Sequence, residues 1–181
     1  MGSAGPYQRS DKAMAEERKI SYSKGMKTPA ESVEVRSKSV MYADINGYGR
    51  LYGGRLMEWI DEVAGLAAVR HCRHMVTTAA VDNLQFKRPA ALGEIVVLIA
   101  KVTYVGRTSV EVRVDTYVED VESGIRRPIN RAYLTEVCID EAGTPVPVEY
   151  GLLPETPGEE AEYEGAKKRI ALRRKRRQEG F

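Results

Sequence analysis

Cysteine, phenylalanine and tryptophan are scarce in this 181-residue chain, which holds two Cys, two Phe and one Trp. Cys72 and Cys138 are far apart and in no CxxC pattern, which argues against a disulfide framework or a thiolate zinc site. His71 and His74 flank Cys72 in the sequence HCRH. On a helix the two histidines share a face that Cys72 does not, and no second Cys/His pair completes four ligands, so no metal is expected. Also missing is any apolar run near the eighteen or so residues that span a bilayer. The stretch MGSAGPYQRSDKAMAEERK has no apolar segment that could act as a secretory signal. A cytoplasmic location, with reduced thiols and no membrane partner, is the expectation.

An excess of one charge is absent overall, with 28 Lys and Arg against 26 Asp and Glu, but the distribution is uneven. Residues 1–163 carry 20 basic against 24 acidic side chains, and residues 164–181 carry 8 against 2. An acidic body with a short basic tail does not suit a nucleic-acid-binding domain. Several catalytic signatures are missing as well. GYGRLYGG lacks a GK[ST] ending and a surrounding βαβ unit, so both nucleotide fingerprints fail. There is no G-x-S-x-G, and Cys72 has no identifiable orienting group.

What is present is a globular balance, 43% apolar and 30% charged, enough for one domain with a core. Residues 1–30 mix Ser, Lys, Glu, Gly and Pro without period and read as a flexible lead-in. From Val33 to Met41 apolar and small residues alternate with charge, which predicts a first strand. Ala43 to Gly49 is a turn-rich loop, closing on Gly53-Gly54. From Gly54 to about His74 the period becomes helical: Leu56, Ile60, Val63, Ala64, Ala67 and Ala68 form one stripe. Strands follow at Val76–Phe86, Ile95–Val105, Ser109–Glu119 and Ala132–Ile139. One long helix followed by consecutive strands predicts an α+β domain over residues 31–150, its helix lying on a strongly curved sheet. Residues 151–181 read as a Pro/Gly/Glu linker and a solvated basic tail, with a surface helix docking on a partner chain or an anionic polymer as the alternative.

The chemistry-bearing segment is Asp44–Asp61. Its glycine pair stands at a helix start, where free N–H groups favour negative charge, including the oxyanion of a carbonyl under attack. Asp61 shares a helix face with Gly54, Met57, Ala64, Gly65 and Ala68. A carboxylate on a small-residue face needs a partner or a role, pairing with an arginine being the plain one. Glu58 and Glu62 fall with Arg55, where surface ion pairs explain them.

The pattern Asn46-x-x-Gly49-x-x-x-Gly53-Gly54-x-Leu56-Met57-x-Trp59-Ile60-Asp61 resembles the hotdog-fold acyl-CoA thioesterases, in their broad acyl-CoA hydrolase branch. Val76–Asp82, Phe86-Lys87-Arg88-Pro89, Gly93-Glu94 and Gly106-Arg107-Thr108-Ser109 continue the resemblance, which covers about residues 33–147. Ile60 and Tyr52 stand where Met and Phe are frequent. The resemblance implies a hotdog fold, with a central helix wrapped by an antiparallel sheet of about five or six strands. It also implies an acyl-CoA substrate and homodimers assembled as a trimer of dimers. Asp61 would be base or nucleophile, Asn46 would hold the water or the carbonyl, and amides at Gly53 and Gly54 would bind the oxyanion. Thr78 would line the site. Lys87, Arg88 and Arg107, with Thr108 and Ser109, would meet the CoA phosphates, and no cofactor is called for. His71 and His74 do not stand where related dehydratases keep their histidine. Gly54 and Asp61 lie about 10 Å apart along a helix axis, so a site shared between subunits is expected. The alternative is a non-catalytic acyl-CoA sensor whose basic tail touches an anionic partner.

Overall fold

The computed structural model describes residues 22–82 and 84–180. Strand β1 (Met26–Lys27) and a 3-10 turn (Pro29–Ser32) precede β2 (Glu34–Ser39), and helix α1 spans Gly53–Cys72. Strands β3 (Met75–Asp82), β4 (Ile95–Val105), β5 (Ser109–Glu119) and β6 (Arg126–Ile139) follow, then β7 (Gly151–Leu152) and helix α2 (Pro157–Glu179). The main sheet has the order β2-β4-β5-β6-β3, every neighbouring pair antiparallel, while β1 and β7 pair in parallel as a separate ribbon.

The alternation of side chains decides what each face of the sheet covers. Val110, Val112 and Val114 of β5 and Ala132 and Leu134 of β6 are buried in the core with Leu56, Ile60, Val63, Ala64 and Ala67 of α1. This is the predicted helix-on-sheet core. The opposite face carries α2. Tyr163 and Ala166 of α2 are buried, and Arg113 reaches Glu162 at 2.7 Å. Arg169 bonds Glu111 through two nitrogens at 2.8 and 3.0 Å and lies 3.6 Å from the centroid of the Tyr133 ring. Arg173 and Arg176 both reach Asp82 at the end of β3. Thr156 caps the helix by accepting the Glu159 N–H at 3.2 Å. The solvated-tail reading of residues 164–178 is therefore corrected: the segment is a helix that packs on the chain's own sheet rather than on a partner, and α1 is not the only long helix.

The lead-in is corrected in part. Residues 1–21 lie outside the described residues, but Met26–Ser32 is regular structure with a task. Lys27 is buried, and its Nζ donates to the carbonyls of Arg70 and His71 at 3.0 and 2.7 Å. Those are last-turn carbonyls of α1, which the helix itself cannot satisfy. The chain then leaves the helix through Arg73 in the left-handed conformation, φ 59°.

His71 is fully buried beside this cap, with Nε2 3.2 Å from the Tyr150 carbonyl oxygen. Burial pushes its pKa down to about 4. Below about pH 6.5 an unfolded chain protonates this imidazole and the folded chain does not, so stability falls as the pH drops toward 4. The loss across that window is on the order of 3 kcal/mol. Urea unfolding of wild type and His71→Gln at pH 7 and pH 4.5 should show the gap between them narrowing at the lower pH. A constant gap would contradict this assignment.

Candidate active site

The loop before α1 closes on its own backbone. Asn46 Oδ1 accepts the N–H groups of Tyr48 (3.0 Å) and Arg50 (3.3 Å), and Tyr52 N–H donates to the Asp44 carbonyl at 2.8 Å. The Asn46 acceptor is thus committed to shaping the loop, which leaves its Nδ2 group as the donor for a ligand. Tyr52 is the N-cap of α1 and supplies no side-chain acceptor, so the first-turn amides are not capped from within the helix. Its ring folds back over the helix start, and a Cβ at Gly54 would lie 2.5 Å from a ring carbon. Glycine suits that close approach.

Two depressions flank this helix start. One, of about 290 Å³, is lined by Asn46, Gly53, Lys87 and Arg88 together with Phe86 and Ile129. The other, of about 320 Å³, runs along α1 from Gly54 to Asp61 and is walled by Met57, Ile60, Val81, Leu84 and Leu134. The polar loop and the helical carboxylate of one chain therefore open into different hollows. Arg107, Thr108 and Ser109 belong to the β4–β5 turn, where Thr108 accepts the N–H of Cys138 at 2.9 Å. Cys138 pairs with Val76 at the start of β3, next to the C-terminus of α1. A 20-residue helix is about 30 Å long, so these three residues lie far from Lys87 and Arg88 within one chain.

Asp61 is exposed and accepts a hydrogen bond from Thr78 Oγ1 at 2.6 Å. Strand β3 carries a bulge between Thr78 and Ala80, on an edge of the sheet that no strand among the described residues covers. The same hydroxyl lies 3.2 Å from both carboxyl oxygens of Glu136, its cross-strand partner on β6. Glu136 has 0% of its surface exposed, and burial pushes its pKa up to about 7. Sequence reasoning missed it. The signal was available in AYLTEVCI, where Ala132, Leu134, Glu136 and Cys138 alternate on the core face and the third of them is a carboxylate.

Other expectations resolve simply. Arg55 pairs with Glu58 at 2.6 Å, but Glu62 pairs with Lys38 at 2.6 Å rather than with Arg55. Cys72 and Cys138 are both buried, and the packing of α1 on β6 brings them into hydrogen-bonding contact despite their separation in sequence. His74 sits 3.5 Å from Glu149.

A long helix held in a curled five-stranded antiparallel sheet, with an aspartate turned outward from the helix beside an edge strand, defines a hotdog-fold protein. The family model of the thioesterase superfamily matches residues 48–125. A Bacillus subtilis relative, the uncharacterized acyl-CoA thioester hydrolase YkhA, is 37% identical over 147 residues, covering 81% of this chain and 85% of its own. The chain belongs to the thioesterase superfamily, among its acyl-CoA thioester hydrolases. Among solved structures, an asparagine-to-alanine variant of the Staphylococcus aureus acyl-CoA hydrolase, bound to coenzyme A, superposes with a TM-score of 0.82 at 34% identity, over 86% of this chain and 93% of that one. Alanine variants of that enzyme at an aspartate and at a threonine superpose as well, each with a TM-score of 0.80. An apo hexameric acyl-CoA thioesterase superposes at a TM-score of 0.80 with 35% identity, over 84% of this chain and 97% of that one.

Proposed function

We propose that this chain hydrolyses fatty acyl-CoA to the free acid and CoA, with Asp61 as the general base. The observation that carries the reading is Asp61 itself, exposed at the wall of an apolar hollow and tied by one oxygen to Thr78. The Staphylococcus aureus variants support it. Their aspartate follows the asparagine by fifteen residues and their threonine follows by seventeen more, the spacing of Asn46, Asp61 and Thr78 here.

In the proposed step, the Asp61 carboxylate takes a proton from water as the oxygen adds to the thioester carbon. The carbonyl electrons move onto oxygen, where Asn46 Nδ2 and the amides of Gly53 and Gly54 receive them, each donor worth about 3 kcal/mol. Collapse breaks the C–S bond, and the leaving thiolate takes the proton from Asp61. The apolar hollow along α1 suits the acyl chain, and Lys87 and Arg88 suit the CoA phosphates, with Arg107, Thr108 and Ser109 contributed from another subunit. A second copy is required because Asn46 and Asp61 of one chain open into separate hollows. The uncovered β3 edge, with Met75 and Val81 exposed, is the surface we assign to that pairing, and trimers of such dimers follow the hexameric relative. No resident cofactor takes part in this reading. Two buried thiols in contact but unbonded suit the cytoplasm.

A thiol-release assay with short- and long-chain acyl-CoA tests the proposal. Turnover that depends on Asp61 supports it. Tight binding without turnover would favour the sensor reading instead.

A further inference from the structure

Two carboxylates in this protein share one hydroxyl. Thr78 owns a single proton, and the 2.6 Å contact gives it to Asp61 Oδ1. Glu136 then faces, at 3.2 Å, an oxygen that has only lone pairs left to offer. Two acceptors in that position repel unless Glu136 supplies a proton of its own.

The surroundings of Glu136 supply no counter-charge. It lies on the core face of β6 between Leu134 and Cys138, opposite Val110 of β5 and Thr78 of β3. The titratable groups that act on it or feel it are Asp61 and Cys72 of α1 and Cys138 of its own strand. None is basic, and no ion pair among the described residues includes Glu136. Burial raises its pKa first and the charge of Asp61 adds to the rise, while the Thr78 hydrogen bond works the other way; the balance falls at about 7.

We propose that Glu136 is a positioning residue: its neutral carboxyl donates to Thr78 Oγ, which turns the Thr78 proton onto Asp61 Oδ1 and leaves Asp61 Oδ2 facing the substrate water. This rests on the reading of Asp61 as general base. When Glu136 loses its proton to solvent, two anions compete for one Thr78 proton, and Asp61 is no longer held in one orientation. The sheet register builds this arrangement, since Thr78 and Glu136 are directly paired residues and a bulge adjoins Thr78.

The test is the pH dependence of kcat and kcat/KM between pH 5.5 and 9 on a short-chain acyl-CoA. It compares wild type, Glu136→Gln, Glu136→Leu and Thr78→Ser, with thermal melts to confirm folding. Wild type should lose rate through one ionisation close to neutrality. Glu136→Gln keeps a permanent N–H donor, so it should retain the rate measured at pH 6 within a few-fold and lose that decline. Glu136→Leu should lower kcat about tenfold with KM little changed, through loss of the one hydrogen bond that orients the Thr78 hydroxyl. Thr78→Ser keeps the hydroxyl, so its rate should decline over the same pH range as wild type, whatever its absolute kcat. A Glu136→Gln enzyme that keeps the wild-type decline overturns the proposal, whether or not Glu136→Leu folds. So does a folded Glu136→Leu enzyme as fast as wild type. Failure of the underlying reading looks different: wild type would release no thiol, or Asp61→Ala would remain fully active.

Discussion

Replacing Asp61 by Asn should lower kcat on acyl-CoA about a thousandfold, the middle of the range for removing a positioned general base. Asn is isosteric and can still accept the Thr78 proton through Oδ1, so the hollow along α1 keeps its shape. What is lost is the proton acceptor facing the water. KM should change little, because in the proposed reading the acyl chain and the CoA phosphates fall to Met57, Ile60, Val81, Lys87 and Arg88 rather than to the carboxylate. Losing kcat and kcat/KM together is the sign of a group used only in the transition state. Asp61 is exposed and belongs to no ion pair among the described residues, so stability should move by less than about 1 kcal/mol. Steady-state kinetics beside a thermal melt checks both halves. A well-folded variant with more than a tenth of wild-type kcat would remove Asp61 from the reaction.

The largest effect on stability is expected far from that site, at Arg169. Glu111 is only 2% exposed, and its carboxylate is held by Arg169 with help from the Thr103 hydroxyl at 2.8 Å. Arg169→Met leaves that anion buried beneath α2 with one neutral donor. The cost should be about 3 kcal/mol, the low end for breaking a buried pair, because Arg169 itself is partly exposed. Removing both charges, with Glu111→Gln added, should recover most of the loss, since the uncompensated anion is what destabilises. Urea unfolding of the two single variants and the double variant closes that cycle. Truncation at residue 163 removes the same clamp together with Ala166, and it should destabilise at least as much. A truncated chain with wild-type stability would mean that α2 adds nothing to the fold.

The contrast between these two residues shows what a sequence can display. Helix α1 announces itself because its apolar residues recur with the helical period, and β4 and β5 do so because valines alternate between two turns. Their observed limits, Ile95–Val105 and Ser109–Glu119, are the predicted ones. Helix α2 has no such stripe. It docks through Tyr163, Ala166 and the stems and charges of arginines, and a run of arginines reads as a wet surface until the carboxylates beneath it are located. Glu111, Arg113 and Asp115 alternate as a solvated sheet face would, and only the tertiary structure shows what covers them. Strand β6 begins at Arg126, six residues before the predicted start, because Pro128 and two arginines hide a strand that proline seldom enters.

At the site, Asn46, the glycine pair and Asp61 were legible because loop, helix start and carboxylate occupy one continuous segment. The tie between Asp61 and Thr78 spans α1 and β3, and its extension to Glu136 reaches β6, so it depends on strand register that no local pattern reveals. The expectation of a shared site rests on the distance between Gly54 and Asp61 along the helix, yet these two residues line the same hollow, and it is Asn46 that opens into the other.

Subunit mixing tests the central claim of a shared site most directly. Asn46→Ala and Asp61→Ala homomers, each inactive alone, are combined under conditions where subunit exchange is verified by a mass or fluorescence label. Sites that draw Asn46 from one subunit and Asp61 from its neighbour predict recovery of about a quarter of wild-type thiol release, from the sites that receive two intact halves. Exchange to completion with no recovery would contradict the shared site.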